Sequence, residues 1–350
     1  MHRSAFLVAV LSIALSGTLE AGIKRTPQGK PDFSGVYDTG TLTPLNRPEA
    51  FGDKQFMSKE EADQVVKATL GRFEWANRES DPDRGAPQKG GDGNNTAGAG
   101  GVGGYNAFWI DPGSEAFEID GKFRTSIIYD PPNGRQPAQT PQALERMAKR
   151  YASFAYDNDG TASWLAHDGP GPFDDPESLA PSERCLISFG ATVPTIPSLY
   201  NNYKRIVQTE DHVMILQEMV HDARIIRMNS EHGPQENRKW MGDSVGHWEG
   251  DTLVVETRHF RPVSGLGGAD ENLQVTERFK LLENGHIVYG FTVNDPTAWT
   301  APWSGEYVWT ASDEQVYEYA CHEGNYAMPG VLKGARLLES EWVPPENSDD

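Results

Sequence analysis

The amino-acid sequence predicts a mainly β fold, an antiparallel β-barrel that is lipocalin-like in the broad sense. After residue 200, short runs rich in Val, Ile, Tyr and Phe recur, and turn signals such as 249–251 and 283–285 separate them. Regular short strands with tight turns and no helical periodicity are typical of antiparallel sandwiches and barrels. The predicted strands are 204–209, 212–219, 221–228, 247–249, 252–257, 273–282, 286–293, 306–310 and 315–320.

The first half of the chain adds two short helices to this barrel. Ser58 and Glu61 form a capping box, which predicts a helix ending near residue 76. Pro141 stands at the first position of a second helix, predicted over 140–154.

Long Gly/Pro-rich loops and a few extra strands accompany these helices. A hairpin is predicted over 117–123 with Asp-Gly at its turn, followed by a strand over 124–129. The Gly-rich stretch 79–104 is predicted to be a surface loop, either a plain insertion or a lid over a site. Together these elements predict one domain over 22–350.

The first 21 residues have the pattern of a secretory signal peptide. Arg3 precedes an apolar run over 5–15, which is too short to span a bilayer, and Ala21 ends a plausible cleavage site before Gly22. An uncleaved N-terminal anchor is the alternative. The pattern predicts a periplasmic or secreted protein with no stable membrane insertion after cleavage.

The charge balance excludes nucleic-acid binding as a main function. Asp and Glu total 51 against 31 Lys and Arg, a net charge of −20, and no basic run offsets this excess. Such a chain repels phosphate backbones. A small molecule is therefore the expected partner, and the oligomeric state stays open.

The two cysteines, Cys185 and Cys321, suggest a disulfide because an exported protein meets oxidising conditions. Such a bond would tie the middle of the chain to its end. Two separate buried thiols are the alternative.

Common catalytic signatures are missing from the sequence. It has no Walker loop, no His-Glu-x-x-His and no Cys-x-x-Cys. The sequence therefore gives little support to the common classes of nucleotide-cofactor enzymes and proteases, and no cofactor is predicted.

Three polar clusters beside strands are the candidate sites. The first holds Glu218, His221, Asp222 and Arg224, which suit proton transfer and anion binding or, alternatively, a surface salt-bridge ladder around one core histidine. The second holds His322, Glu323, Asn325 and Tyr326 on a predicted loop at the barrel end, where the groups could instead satisfy the backbone. The third pairs amides with aromatic rings for a polar ligand: Asn201, Asn202, Tyr203 and Trp240.

A metal site is a weaker alternative. His221, His322, Asp222 and Glu323 have the chemistry of metal ligands, but no spacing fixes a coordination geometry.

Several long motifs resemble a widespread group of exported bacterial proteins of uncharacterised function. They are PDFSGV at 31–36, RTSIIYDPPNG at 124–134, YNNY at 200–203, EMVHDAR at 218–224, GHWEGDTLVVE at 246–256 and YEYACHEGNY at 317–326. The resemblance implies kinship and export but no activity. Tyr37 and His247 depart from the group's pattern, in which Trp and Arg are typical.

The clusters favour an enzyme that carries out cofactor-free acid–base chemistry in a barrel pocket, such as an elimination, isomerisation or cyclisation. We expect His221 or His322 as the base and Tyr203 or Tyr326 as the acid. Arg224 and Asn325 would hold an oxyanion or carboxylate. The alternatives are a non-catalytic binding protein for an apolar or sugar-like ligand and a metal-dependent hydrolase.

Overall fold

The structure is a computed structural model that describes residues 22–76, 83, 110–150, 160–188, 190–263 and 266–344. The predicted signal peptide and nearly all of the Gly-rich segment 79–104 lie outside these residues.

Nine strands close into a barrel, which confirms the predicted fold. Around the barrel the order is β1-β6-β7-β8-β9-β10-β11-β12-β13, and β13 pairs with β1 to complete the ring. The strands are β1 Gly35–Asp38, β2 Phe56–Met57, β3 Glu118–Ile119, β4 Lys122–Arg124, β5 Ile128–Asp130, β6 Tyr203–Gln208, β7 His212–Gln217, β8 Ala223–Met228, β9 Asp243–Glu249, β10 Thr252–Arg258, β11 Gln274–Leu281, β12 Ile287–Asn294 and β13 Trp303–Ser312.

One pairing corrects the prediction of a wholly antiparallel barrel. Strands β8 and β9 run parallel, with Ile226 opposite Ser244, whereas the other neighbours around the ring are antiparallel. A parallel pair cannot be joined by a tight turn. The connection 229–242 therefore returns along the barrel before β9 begins.

Aromatic side chains fill the barrel interior. Alternate residues of a strand face opposite sides of the sheet, and β11 and β12 alternate between buried and more exposed positions accordingly. The inward positions carry large rings, so this interior is a packed core and not a hollow cup. The rings are Phe279, Tyr289, Tyr307, Trp303 and Trp309.

The two predicted helices are present. Helix α1 spans Lys59–Ala76, and its capping box is formed: the N–H of Ser58 donates to Glu61 Oε2 at 2.8 Å, and the N–H of Glu61 donates to Ser58 Oγ at 3.3 Å. Helix α2 spans Pro141–Arg150, and the last residues predicted for it lie outside the described ranges.

The predicted hairpin is also formed. Strands β3 and β4 pair antiparallel, and Asp120 and Gly121 both take positive φ angles of 51° and 74°. Positive φ at both central residues is typical of the type I′ turn.

Two predictions near the end of the chain are wrong, the strand over 315–320 and the loop that begins at His322. Residues 313–320 are irregular, because β13 pairs with both β12 and β1 and the closed ring offers no free edge to a further strand. Beyond them lie helix α3, Cys321–Gly324, and helix α4, Ala327–Glu341, which the sequence reasoning did not predict.

A covering segment, residues 190–198, closes one end of the barrel. Its residues Ala191 and Val193 are buried. The N–H of Thr195 donates to the hydroxyl of Tyr289 at 2.9 Å, and the hydroxyl of Tyr307 donates to the carbonyl of Thr195 at 3.1 Å. The barrel tyrosines thus fix this segment over the core.

The disulfide Cys185–Cys321 is formed, which confirms the predicted pairing. It joins residues 136 positions apart and is consistent with an oxidising compartment. Among the helices of the described ranges, none has the length and apolar character needed to cross a bilayer.

Candidate functional site

A cavity of about 470 Å³ lies where β1 ends, β6 begins and β7 ends. We call it the mouth pocket. Its lining combines three carboxylates, three tyrosines and two amides: Asp38, Asp111, Tyr200, Asn201, Asn202, Tyr203, Glu218 and Tyr319.

Strand pairing places the central groups of the mouth pocket. Asp38 is the last residue of β1 and lies opposite Tyr203, the first residue of β6. The N–H of Glu218 donates to the carbonyl of Tyr203 at 3.1 Å, and Glu218 Oε2 accepts the N–H of Tyr203 at 3.2 Å. The carboxylates of Asp38 and Glu218 therefore flank the start of β6.

Asn202 holds the pocket wall together. Its side chain is buried. Its Oδ1 accepts the N–H of Ser198 at 2.8 Å, and its Nδ2 donates to the carbonyls of Asp111 at 3.0 Å and Ser198 at 2.9 Å. This predicted ligand contact is thus engaged with the backbone, whereas Asn201 lines the pocket beside it.

Burial and nearby charges shift the pKa of two groups that line the pocket, Asp38 and Tyr203. Burial raises the pKa of Asp38; the N–H of Gly40, at 2.7 Å, opposes this shift and the nearby Asp111 reinforces it. Burial also raises the pKa of Tyr203, and Asp38 adds to that effect. Asp38 therefore keeps its proton to higher pH than an ordinary aspartic acid, as a general acid must.

Lys204 lies inside the barrel next to this pocket. It is 1 % exposed, and its Nζ donates to the carbonyl of Gly190 at 3.3 Å. Burial lowers its pKa to about 8, while Glu218 and Asp38 oppose that shift. The sequence reasoning missed Lys204; the only available signal was its place at an inward-facing position of the predicted strand 204–209.

A strained turn forms part of the rim. The 3-10 turn Met219–His221 contains Val220 at φ 63° and His221 at φ 43°. A β-branched residue rarely takes a positive φ, and strained residues cluster at ligand sites. This turn also explains why β8 begins at Ala223 and not at the predicted residue 221.

The disulfide supports the same rim. Cys185, Met219 and Val220 are buried together, with Tyr200, Tyr319 and Cys321 packed against them. His221 Nδ1 lies 2.8 Å from the carbonyl oxygen of Tyr319. The segments around 201, 218–221 and 319 therefore converge at the mouth pocket.

Several predicted site residues do not line the mouth pocket. His221, His322 and Glu323 are exposed beyond its lining, and Tyr326 is 82 % exposed. Asn325 donates to the carbonyl of Glu183 at 2.7 Å and lines a neighbouring cleft.

Arg224 is buried in the barrel interior. Its Nη1 and Nη2 donate to the carboxylate of Glu277 at 2.7 and 3.0 Å, and the hydroxyl of Tyr289 donates to the same carboxylate at 2.8 Å. Arg224 therefore holds the core together and does not reach the mouth pocket.

The two remaining predicted site residues, Asp222 and Trp240, also lie outside the lining of the mouth pocket. Asp222 is partly buried, and burial raises its pKa, while the N–H of Ala223 and the charge of His221 lower it. Trp240 packs against the core with the guanidinium of Arg261 5.0 Å from its ring centre.

A second cluster, absent from the sequence predictions, surrounds Asp243. Candidate ligand atoms of His232, Asp243 and His259 lie within 4.8 Å of one another. Asp243 Oδ1 already accepts from Arg227 at 2.9 Å and Lys239 at 2.8 Å. Its Oδ2 accepts from Arg227 at 2.9 Å and from the N–H of Gly233 at 3.0 Å. The same oxygen lies 3.2 Å from His232 Nδ1.

These contacts do not fit a metal ion. Both oxygens of Asp243 are occupied by donors, and two cationic side chains contact the carboxylate. We call this cluster the Asp243 hub. The predicted metal ligands His221, His322, Asp222 and Glu323 are not assembled into a ligand group within the described part of the chain.

Comparison with known proteins gave no match, either to a protein-family model or to a curated protein. The kinship suggested by the sequence motifs stays a prediction.

Proposed function

We propose that this chain is an exported enzyme that performs acid–base chemistry on a small hydroxylated molecule in the mouth pocket. The observation that carries the proposal is the convergence of Asp38, Asp111 and Glu218 at one tyrosine-lined cavity, where burial raises the pKa of Asp38. Perturbed titratable groups that meet in a cleft are typical of catalytic sites.

Asp38 is the general acid in this proposal and Glu218 is the base. Burial raises the pKa of Asp38, which favours its protonated form, whereas the carboxylate of Glu218 is fixed by the N–H of Tyr203. Two groups whose environments differ in this way can donate and remove protons in one reaction. Elimination, isomerisation and cyclisation all need this pair of transfers.

The lining favours a neutral or cationic sugar-like substrate. Three carboxylates face the cavity, and the whole chain carries a net charge of −20, so an anionic substrate would be repelled. Tyrosine rings offer flat apolar faces with hydroxyl tips, which suit a molecule that presents both C–H and O–H groups.

Export supports this choice of chemistry. The N-terminal pattern and the disulfide both fit an oxidising compartment. An exported protein has no ready supply of nucleotide cofactors, so a reaction that needs only side chains is favoured.

A non-catalytic binding protein for a sugar-like ligand is the second candidate, because the disulfide and Asn202 hold the pocket walls in place. An apolar ligand carried inside the barrel has less support, since aromatic side chains fill that interior.

The test is a mass-spectrometric screen in deuterated water with neutral sugars, amino sugars and polyols. Isomerisation through a carbon acid adds one deuterium to the product, and elimination removes one water. We expect Asp38→Asn and Glu218→Gln to slow the reaction about 10²- to 10⁴-fold. Binding without a mass change would favour the second candidate.

The matched control is Asp211→Asn, an exposed carboxylate at the far end of the β6–β7 hairpin. It should leave the rate unchanged. Equal rates in Asp38→Asn and the unaltered protein would contradict the proposed acid.

A further inference from the structure

A second cavity, of about 420 Å³, opens at the surface where β10 and β12 end and β11 begins. The connection 229–242 supplies another part of its wall, and its lining shares no residue with the mouth pocket. We call it the Arg258 cleft. Its volume lies within the range of about 300–1,000 Å³ that is typical of sites for small molecules.

Arg238 joins the walls of the Arg258 cleft. Its Nη1 donates to the carbonyls of Phe260 at 3.0 Å and Glu271 at 2.9 Å, and its Nη2 lies 3.2 Å from the carboxylate of Glu271. One side chain thus ties the connection 229–242 to the segments that follow β10 and precede β11. Because Arg238 and Glu271 neutralise each other, they leave the charge of the cleft to other residues.

Arg258 supplies the unpaired charge of the cleft. It is the last residue of β10, and its exposed guanidinium makes no hydrogen bond or ion pair with any residue that the structure describes. The neighbouring His259 is mainly neutral near pH 7, because burial and the charge of Arg258 lower its pKa. With Arg238 and Glu271 paired, the lining keeps one unpaired positive charge.

The backbone of the cleft is strained next to this arginine. His259 has a φ angle of 60°, which is uncommon for a residue other than glycine. Strained backbone persists only where the surroundings hold it, and it clusters at ligand sites. The strain therefore lies at the residue that follows the unpaired guanidinium and that itself lines the cavity.

Four exposed carboxamide side chains line the same cleft. None of them makes a hydrogen bond within the described ranges of the chain: Gln235, Asn272, Gln274 and Asn294. In the mouth pocket, by contrast, the amide of Asn202 is engaged with the backbone. A carboxamide both donates and accepts hydrogen bonds, as a hydroxyl group does. The free amides therefore suit a ligand that carries several hydroxyl groups.

We propose that the Arg258 cleft binds a hydroxylated monocarboxylate, such as a sugar acid. A guanidinium presents a planar fork of N–H groups that matches the two oxygens of a carboxylate. One unpaired positive charge balances one negative charge. A phosphate monoester carries about two negative charges at neutral pH, and the second would lie uncompensated in a cleft that also contains Glu271.

The net charge of the whole chain does not oppose this binding. Salt screens exposed charges that lie more than about 8 Å apart at physiological ionic strength, so the lining of a cavity decides which ligands it attracts. Three carboxylates and no cationic side chain line the mouth pocket, whereas the Arg258 cleft has an unpaired arginine. The two cavities therefore select ligands of opposite charge.

The first test compares three probes by isothermal titration calorimetry of the folded full-length protein: D-glucuronate, D-glucose and D-glucose 6-phosphate. We expect glucuronate to bind at least about tenfold more tightly than the other two, because hydrogen bonds to a charged group exceed those to a neutral one and the phosphate brings an excess charge. No binding of glucuronate, or equally tight binding of either other probe, would overturn the proposal.

The second test places the carboxylate at Arg258. Arg258→Gln should weaken the binding of glucuronate at least about tenfold. Arg205→Gln is the matched control, because it removes an exposed arginine of β6 that is likewise unpaired within the described residues. Circular dichroism checks the fold of both variants. An equal loss in the two variants would show general charge attraction and would contradict the proposed site.

Glu218→Gln separates this inference from the proposed reaction. It should leave the affinity for glucuronate unchanged, because Glu218 lines the mouth pocket and not the Arg258 cleft. A loss of glucuronate binding in Glu218→Gln but not in Arg258→Gln would put the ligand in the mouth pocket and overturn the inference.

Discussion

The mouth pocket and the Asp243 hub both place carboxylates near strand ends, yet they differ in the hydrogen-bond partners of these carboxylates. In the hub, Asp243 accepts from Arg227, Lys239 and Gly233, so both of its oxygens are engaged by protein donors. In the mouth pocket, Asp38 accepts from the N–H of Gly40 and Glu218 accepts from the N–H of Tyr203, and both carboxyl groups face the cavity. A carboxylate held by two cations indicates a structural role, whereas carboxyl groups that face a cavity are available to a ligand.

Removing the disulfide beside the mouth pocket should have the largest effect on the free energy of unfolding, because the bond limits the freedom of the unfolded chain. For a loop of 136 residues, the chain-entropy model gives a stabilisation of about 4–5 kcal/mol. Urea unfolding of the Cys185→Ser, Cys321→Ser double variant measures this loss. A change below about 0.5 kcal/mol, the usual size for surface substitutions, would show that the disulfide adds nothing to the packing of the rim.

Asp243→Asn should destabilise the protein by about 3–5 kcal/mol, because the partly buried guanidinium of Arg227 would lose its charge partner. The measurement is urea unfolding at neutral pH, with Asp211→Asn as the exposed control. A loss no greater than that of the control would contradict the structural role of the hub.

The contribution of Asp243 should also depend on pH. Hydrogen bonds from Arg227 and Lys239 hold the pKa of Asp243 well below its usual range. A lowered folded-state pKa gives stability that is present above the unfolded value, about 4, and lost as the pH falls below it. The stability difference between the unaltered protein and Asp243→Asn should therefore shrink below about pH 4. A constant difference down to pH 2 would contradict the ion pairs.

Asp38→Asn should have the smallest effect on stability, although it slows the proposed reaction. Burial raises the pKa of Asp38, so its ionised form favours the folded state less than its protonated form does. That preference is lost as the pH rises through the raised pKa, so the variant should be at least as stable as the unaltered protein at pH 7. Thermal unfolding at pH 4 and pH 7 checks the sign.

The barrel was largely predictable because strand alternation and tight turns are local signals. The capping box of Ser58 and Glu61 and the turn at Asp120 and Gly121 were formed as expected. The parallel pairing of β8 with β9 depends on contacts distant in sequence, which no local pattern encodes. Helix α4 was not predicted, because Pro329, Gly330 and Gly334 in its first half are residues that disfavour a helix.

The site was predicted only in part. Tyr203, Asn201 and Glu218 do line the mouth pocket, but the expected bases, His221 and His322, do not. Histidine was favoured for its ordinary pKa, whereas the groups with shifted pKa, Asp38 and Lys204, owe their properties to burial. Burial follows from the closed barrel and not from residue type.

The parallel pair follows from the number of strands in the ring. Direction alternates at each antiparallel step, so a closed ring of antiparallel neighbours needs an even number of strands. With nine strands, at least one pair must run parallel, and here it is β8 and β9. The connection 229–242 must then return the length of β8, about 20 Å for its six residues. A deletion that left fewer than about six residues there could not span this return, so this surface connection has a minimum length imposed by counting alone.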